Sequence, residues 1–247
     1  MKTGKGTKPT AVDDAGAASC VKRPRGRPLS FDRCRALDAA MRVFWERGYE
    51  AASIADLTAA MGITPPSLYT AFGDKEHLFY EAIEAYLQGP GAFGARALAE
   101  EPTARAAVQR LLEEAAVEMT QDCQPHGCMI ALAATNGSVS AERVQTLVAE
   151  QRAVAIRGIA ERIQRGIDEG DLPKGTDAAA LATFCGTVYQ GMSIQARDGA
   201  PREQLLLSVR MAMRAWPEPP ARRRGAASCR AALPSVLRRR LLPKPAR

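Results

Sequence analysis

Residues 53 to 75, Ser-Ile-Ala-Asp-Leu-Thr-Ala-Ala-Met-Gly-Ile-Thr-Pro-Pro-Ser-Leu-Tyr-Thr-Ala-Phe-Gly-Asp-Lys, constrain this chain more than any other stretch. Ser53 and Asp56 stand at capping-box spacing, so a helix is predicted to begin near Ile54, where free N–H groups and the helix dipole favour an acceptor and a carboxylate. Ile54, Leu57 and Met61 fall on one stripe, and Gly62 ends the helix in a left-handed conformation. Thr64 then caps a second helix whose first turn holds Pro65 and Pro66, where a missing N–H costs least. Leu68 and Phe72 turn inward, which leaves Thr64, Pro66, Ser67, Tyr69 and Thr70 outside.

Two short helices with a glycine turn are a common helical hairpin, and they are also the unit that holds a second helix out to a DNA major groove. Two neighbours favour the second reading. Upstream lies Lys22-Arg23-Pro24-Arg25-Gly26-Arg27-Pro28, an extended basic arm suited to a minor groove, with Arg25 and Arg27 as its contacts. Downstream, Asp74 caps the next helix and Lys75 sits in its first turn, where a cation opposes the dipole; a phosphate contact explains it better than local stability. The outward face has no Arg, Lys, Asn or Gln to read guanine or adenine edges, so base readout is expected to be modest, with Pro66 and the Thr70 methyl against thymine methyls.

The segment from Arg25 to Leu87 resembles the N-terminal domain of the tetracycline-repressor (TetR/AcrR) family of bacterial transcription regulators. The resemblance lies in Ala39-Ala40-Met41-Arg42-Val43-Phe44-Trp45-Glu46-Arg47-Gly48-Tyr49, Ser53 to Gly62, Ser67-Leu68-Tyr69-Thr70-Ala71-Phe72 and Lys75-Glu76-His77-Leu78-Phe79. It implies phosphate contacts at Tyr69 and Lys75, a recognition helix bearing Pro66 and Ser67, and a supporting helix that starts at Ser53 and Ile54 near the DNA backbone. It also implies an all-α fold, an N-terminal three-helix helix-turn-helix domain plus a C-terminal helical ligand-binding and dimerisation domain. The partners implied are double-stranded DNA with a palindromic operator, a second copy of the chain as homodimer, and a small-molecule effector of unknown identity.

Charge distribution qualifies the net +7. Residues 1–29 carry +5 and residues 217–247 carry +8, leaving the stretch between at −6. A body held off the duplex with a local contact surface fits that pattern better than a protein that coats DNA. Six scattered cysteines and an N-terminus without an apolar signal segment point to a reducing, cytoplasmic setting. No apolar run is long enough for a membrane span.

Along the rest of the chain, residues 1–21 are expected to be disordered, 22–75 to form the head with its arm, 76–216 a helical effector-binding and dimerisation body, and 217–247 a disordered basic tail. Leu37, Ala40, Met41, Phe44 and Trp45 trace a first helix closed by Gly48. A fourth helix is predicted over 75–88, and further helices near 103–120, 128–136, 140–169, 177–197 and 202–216, about nine in all. On 140–169 the stripe is Val144, Val148, Ala155, Ile159, Ile163 and Ile167. The last two helices form an antiparallel pair carrying Leu181, Phe184, Val188, Met192, Leu205, Val209 and Met213. That stripe is either ordinary core or half of an intermolecular four-helix bundle, and the family resemblance implies the dimer interface.

Gly89-Pro90-Gly91-Ala92-Phe93-Gly94 spells a dinucleotide fingerprint but follows a helix, not a strand, so it reads as helix end and loop. No zinc-type spacing, P-loop or nucleophile elbow is present, so no metal, cofactor or enzymatic activity is expected. Cys123 and Cys128 flank a short loop and are candidates for oxidant or electrophile sensing. Phe93, Leu111, Met119, Met129, Leu132, Leu147, Phe184 and Tyr189 are candidate lining for an apolar effector pocket, and the same residue types at helical spacing also make plain core. The function expected is a sequence-specific regulator, a repressor released by its effector. The alternatives are an activator with the same head and a helical small-molecule carrier that never meets DNA.

Overall fold

A computed structural model describes residues 31–133 and 141–218. The arm with Arg25 and Arg27, and nearly all of the expected tail, lie outside the described residues. Those described form ten helices and no strand: α1 (Arg33–Ala51), α2 (Ile54–Met61), α3 (Pro65–Phe72), α4 (Lys75–Gln88), α5 (Phe93–Glu100), α6 (Ala104–Glu118), α7 (Met129–Leu132), α8 (Glu142–Asp168), α9 (Ala178–Arg197) and α10 (Arg202–Arg214).

In the head, α1 is the beam on which the short helices rest. Asp32 caps it by accepting from the Cys34 and Arg35 amides, and its Ala36, Ala40, Met41, Phe44 and Trp45 are buried. Phe44 meets Phe79 of α4 edge-on at 5.0 Å, and Trp45 meets Tyr86 of α4 edge-on at 4.9 Å. Helical geometry is interrupted at Gly48, where the sequence predicts the first helix to close. Gly48 breaks it with φ 77°, and one more turn follows to Ala51. Arg33 forms a 2.6 Å ion pair with Glu81 and lies 4.4 Å over the Phe72 ring, tying α1 to α4 and α3.

The start of α2 is a reciprocal capping box: Ser53 Oγ accepts from the Asp56 amide at 3.0 Å, and Asp56 Oδ2 accepts from the Ser53 amide at 3.0 Å. Arg47 closes on the other Asp56 oxygen at 2.6 Å. Hydrogen bonds from the Ser53 hydroxyl and amide, helped by Arg47, hold the Asp56 carboxyl below its ordinary value of 3.8. Gly62 ends α2 in the left-handed region at φ 66°, with the Ile63 amide reaching back to the Thr58 carbonyl.

The body stacks α5, α6, α8, α9 and α10, with α8 packed on α9 and α6. Inward-facing Val144, Val148, Ile159, Ile163 and Ile167 line α8, whereas Ala155, expected on that stripe, is exposed. At Gly166 the backbone of α8 passes so close to α6 that an added Cβ would meet the Ala104 Cβ at 2.7 Å. Arg110 of α6 binds Glu100, Glu101 and Glu114, which pins the turn between α5 and α6.

Two elements differ from expectation. Helix α5 occupies part of what reads as loop, beginning at Phe93 inside the glycine-rich stretch. Its N-cap is Ala92, which offers no side-chain acceptor, so the usual start signal is missing. Helix α7 is a single turn where residues 128–136 are predicted helical; Ala133 is already extended, and 134–140 lie outside the described residues.

Two outcomes are expected. Gly166→Ala forces α6 and α8 apart and lowers unfolding free energy by roughly 1–3 kcal/mol in a urea titration, while Gly175→Ala, where nothing lies within 4 Å, leaves it nearly unchanged. Because the Asp56 pKa is depressed on folding, its contribution is fully present above 3.8 and is lost as pH falls through the lower, folded value. The stability gap between wild type and Asp56→Ala, measured across a pH series, is therefore wide at neutral pH and closes in acid.

Candidate nucleic-acid interface

Helix α3 presents an open outer face. Leu68, Ala71 and Phe72 face the head's core, and Thr64, Pro65, Pro66, Tyr69 and Thr70 are exposed. Tyr69 leaves 49% of its surface in solvent, although this is a large ring on a helix whose other aromatic, Phe72, is buried. Ser67 is half-buried. Thr64 occupies the N-cap position but does not cap with its side chain: its hydroxyl pairs with the Ser67 hydroxyl at 2.9 Å. Pro66 at the second helical position has no N–H to offer such a cap. The Thr70 hydroxyl folds back on the Pro66 carbonyl at 2.8 Å, so the group it can present outward is the methyl.

On the preceding helix, exposed Ser53 and half-buried Ile54 open α2. Arg47, held by Asp56, brings an exposed cation to the same end of α2. Sequence reasoning passed over Arg47; the available signal was a basic residue just before Gly48 and a carboxylate inside the next helix's capping box. Lys75 corrects an expectation, since it does have a local structural role. Its ammonium lies 4.5 Å over the Tyr49 ring and donates to the Glu50 carbonyl at 3.4 Å, at the C-terminal end of α1. Burial lowers the Lys75 pKa, against the pull of Glu50. Asp74 caps α4 as expected, accepting from the His77 amide at 2.8 Å.

The body residues proposed from sequence lie at different depths. Phe93, Leu111, Met119 and Met129 are buried in the continuous core, and Leu132, Leu147 and Tyr189 are partly buried. Phe184 points the other way, 42% exposed on the outside of α9. It lines a shallow groove of about 490 Å³ with Val188, Gly191, Leu207 and Met211. Of the expected dimer stripe, Met192, Leu205, Val209 and Met213 are buried in their own subunit, and Leu181 is partly buried. Phe184 and Val188 of that stripe do lie on the open face of the α9–α10 pair, together with Leu207 and Met211, and Ile194 is also exposed on α9. Both stripes recur at helical spacing on the same helices, and only packing against α6 and α8 decides which one is inside.

Cys123 and Cys128 are unlike each other. Cys123 is exposed, and Cys128 is buried with the Tyr86 hydroxyl 3.3 Å from its sulfur. Burial first, and the neighbouring thiol second, push both Tyr86 and Tyr189 well above the ordinary phenol value. Among the described residues no group of His, Cys, Asp and Glu is arranged to hold a metal, and no helix is long and apolar enough to cross a membrane.

Comparison with known proteins gives this geometry its setting. Residues 36–82 match the model of bacterial regulatory proteins of the tetR family, and residues 90–205 match the tetracyclin repressor-like C-terminal domain. The HTH-type transcriptional repressor ComR of Escherichia coli K12 is 35% identical over 203 residues, covering 82% of this chain and 97% of ComR. The HTH-type transcriptional repressor BdcR of the same organism is 30% identical over 190 residues, covering 77% of this chain and 91% of BdcR. A cysteine-substituted form of the TetR family regulator CifR, solved with 26-bp double-strand operator DNA, superimposes with a TM-score of 0.76 at 50% identity, covering 77% of this chain and 100% of that one. The head with its outward α3 and the helical body behind it thus belong to a member of the tetR family of bacterial regulatory proteins, a DNA-binding transcriptional regulator.

Proposed function

We propose that the chain is a homodimeric repressor that lays α3 in the major groove of a palindromic operator and leaves it when a small molecule enters the body. The observation that carries this reading is the outward face of α3, with half-exposed Tyr69 and the Thr70 methyl. The division of labour is a head of residues 22–75 with its basic arm, and a body of 76–216 for effector and partner subunit, working in the cytoplasm. Ser53, Ile54, Thr64, Tyr69 and Lys75 are assigned to the DNA backbone, together with Arg47 and the arm's Arg25 and Arg27. Pro65, Pro66, Ser67 and Thr70 are assigned to the floor of the groove.

Affinity and discrimination separate in such a site. Phosphate contacts supply a salt-dependent, sequence-independent term, and the apolar face of α3 adds a small preference for thymine methyls. One head with so few base contacts binds weakly, so two heads held at a fixed spacing are required. The apolar face of Phe184, Ile194, Leu207 and Met211 is the surface that supplies the second head, by packing α9 and α10 against the same helices of a partner.

Three measurements test this reading. On a selected operator duplex, replacing half-site thymines by uracil removes methyls and weakens binding by about 0.8 kcal/mol for each one in contact with α3. Arg47→Ala lowers the slope of log affinity against log salt by about one for each head. Leu207→Glu with Met211→Glu converts the dimer to monomer in sedimentation and abolishes operator binding, while the helical content is unchanged. Wild-type chain that sediments only as monomer, or that binds every duplex equally well, overturns the reading.

A further inference from the structure

The break at Gly48 frees the carbonyls of the preceding turn of α1 from their usual helical partners. They are met from the far end of the chain. The Arg197 guanidinium, at the last residue of α9, donates to the Trp45 carbonyl at 3.1 Å and to the Glu46 carbonyl beside it. A cation on the exposed carbonyls of a helix end is a charge-assisted cap, and here it is supplied across 151 residues by the body to the head.

A second tether reaches the same turn. The Trp45 indole N–H donates to the Gly127 carbonyl at 3.1 Å, and the neighbouring Cys128 amide donates to Ser193 Oγ at 2.8 Å. Ser193 is fully buried on α9, one helical turn before Arg197. Gly127 has φ 81°, and a Cβ there would strike the Ser193 carbonyl at 2.8 Å, so the loop is seated tightly on α9. One tether thus comes from α9 directly through Arg197, and the other through the Gly127–Cys128 loop seated on Ser193, one turn earlier on the same helix. The open face of that helix carries Phe184, Val188 and Gly191, and Ile194 is also exposed. From the turn so held, Arg47 reaches Asp56 in the capping box of α2.

We infer that Arg197 is a positioning residue for operator recognition: it fixes the angle between each head and the dimer seam, and so sets the half-site spacing the protein accepts. A rigid helix whose outer face meets the partner subunit and whose inner face grips α1 converts subunit packing into head placement. The link runs through the end of α1 in addition to the covalent route through α4. The inference rests on the dimeric operator-binding reading above.

The test uses the full-length chain. Wild type first selects an inverted repeat from a random duplex pool, and duplexes are then built with the same half-sites and spacers one or two base pairs longer or shorter. Wild type is expected to prefer one spacing by roughly tenfold or more over its neighbours, and Arg197→Ala to reduce that preference to roughly threefold. The variant stays dimeric and keeps the wild-type salt slope, because no phosphate contact is removed. Arg197→Lys, which can reach one carbonyl, restores part of the preference, and Trp45→Phe, which keeps the ring but loses the N–H donor, broadens spacing as Arg197→Ala does. An Arg197→Ala profile identical to wild type, or a uniform loss of affinity at every spacing, overturns the role assigned to Arg197. A wild type that selects no repeat overturns the operator reading and this inference with it.

Discussion

An eight-residue helix has little stability of its own in water, since nucleation is unfavourable and only a turn or two of hydrogen bonds follows. Helices α2 and α3 are both of that length, so everything the head presents to a partner depends on packing that orients them from behind. Leu57, Leu68 and Phe72 bury into the cluster built on α1 and α4 around Phe44 and Phe79. Polar contacts then remove the remaining freedom. The Ser53–Asp56 box sets where α2 begins, Gly62 sets the angle to α3, and Arg33 locks α3 and α4 to the first turn of α1. None of these contacts uses the outward residues of α3. That face is free to vary in chemistry without cost to the scaffold, which is the arrangement a recognition surface requires.

Much of this was legible in the sequence because it is local. A capping box, a glycine C-cap and prolines in a first turn act over three or four residues, and so the bounds of α2, α3 and α4 follow from the letters. What escaped was set by distant partners. Lys75 reads as a misplaced cation until Tyr49 and the Glu50 carbonyl are seen beside it. On α9 and α10 two apolar stripes coexist, and the stripe chosen from sequence proved to be core for Met192, Leu205, Val209 and Met213. Hydrophobic periodicity gives the phase of a face but not its neighbour, and a helix with two apolar faces carries no internal sign of which one is shared. Helix α5 escaped for the opposite reason: with Ala92 at its N-cap it has no local start signal, and it is held by burial of Phe93 and Ala97 and by Arg110 pinning the turn that follows it.

The expected effector pocket shows the same limit more sharply. Phe93, Leu111, Met119 and Met129 satisfy the composition of a ligand cavity and are also members of one continuous buried cluster. Composition and burial together do not separate a cavity wall from plain core. Within this core Tyr86, Cys128 and Ser193 meet near the end of α1, whereas the buried Thr58 lies on α2 and the buried Arg162 on α8.

Electrostatics and shape divide the remaining work. Between the two basic ends the chain carries −6, so a duplex attracts the ends and is repelled by the body. Such a field draws both basic ends toward the duplex and holds the acidic body off it. On the reading proposed above, discrimination falls to a face built of Pro66, Tyr69 and Thr70, none of which offers a bidentate pair to a base edge. A surface of this kind distinguishes sequences by methyl contacts and by how the groove accommodates two rigidly spaced heads, each of them a small term alone. Because the terms multiply only when both heads engage together, selectivity in this protein is a property of the spacing between heads as much as of the residues they carry.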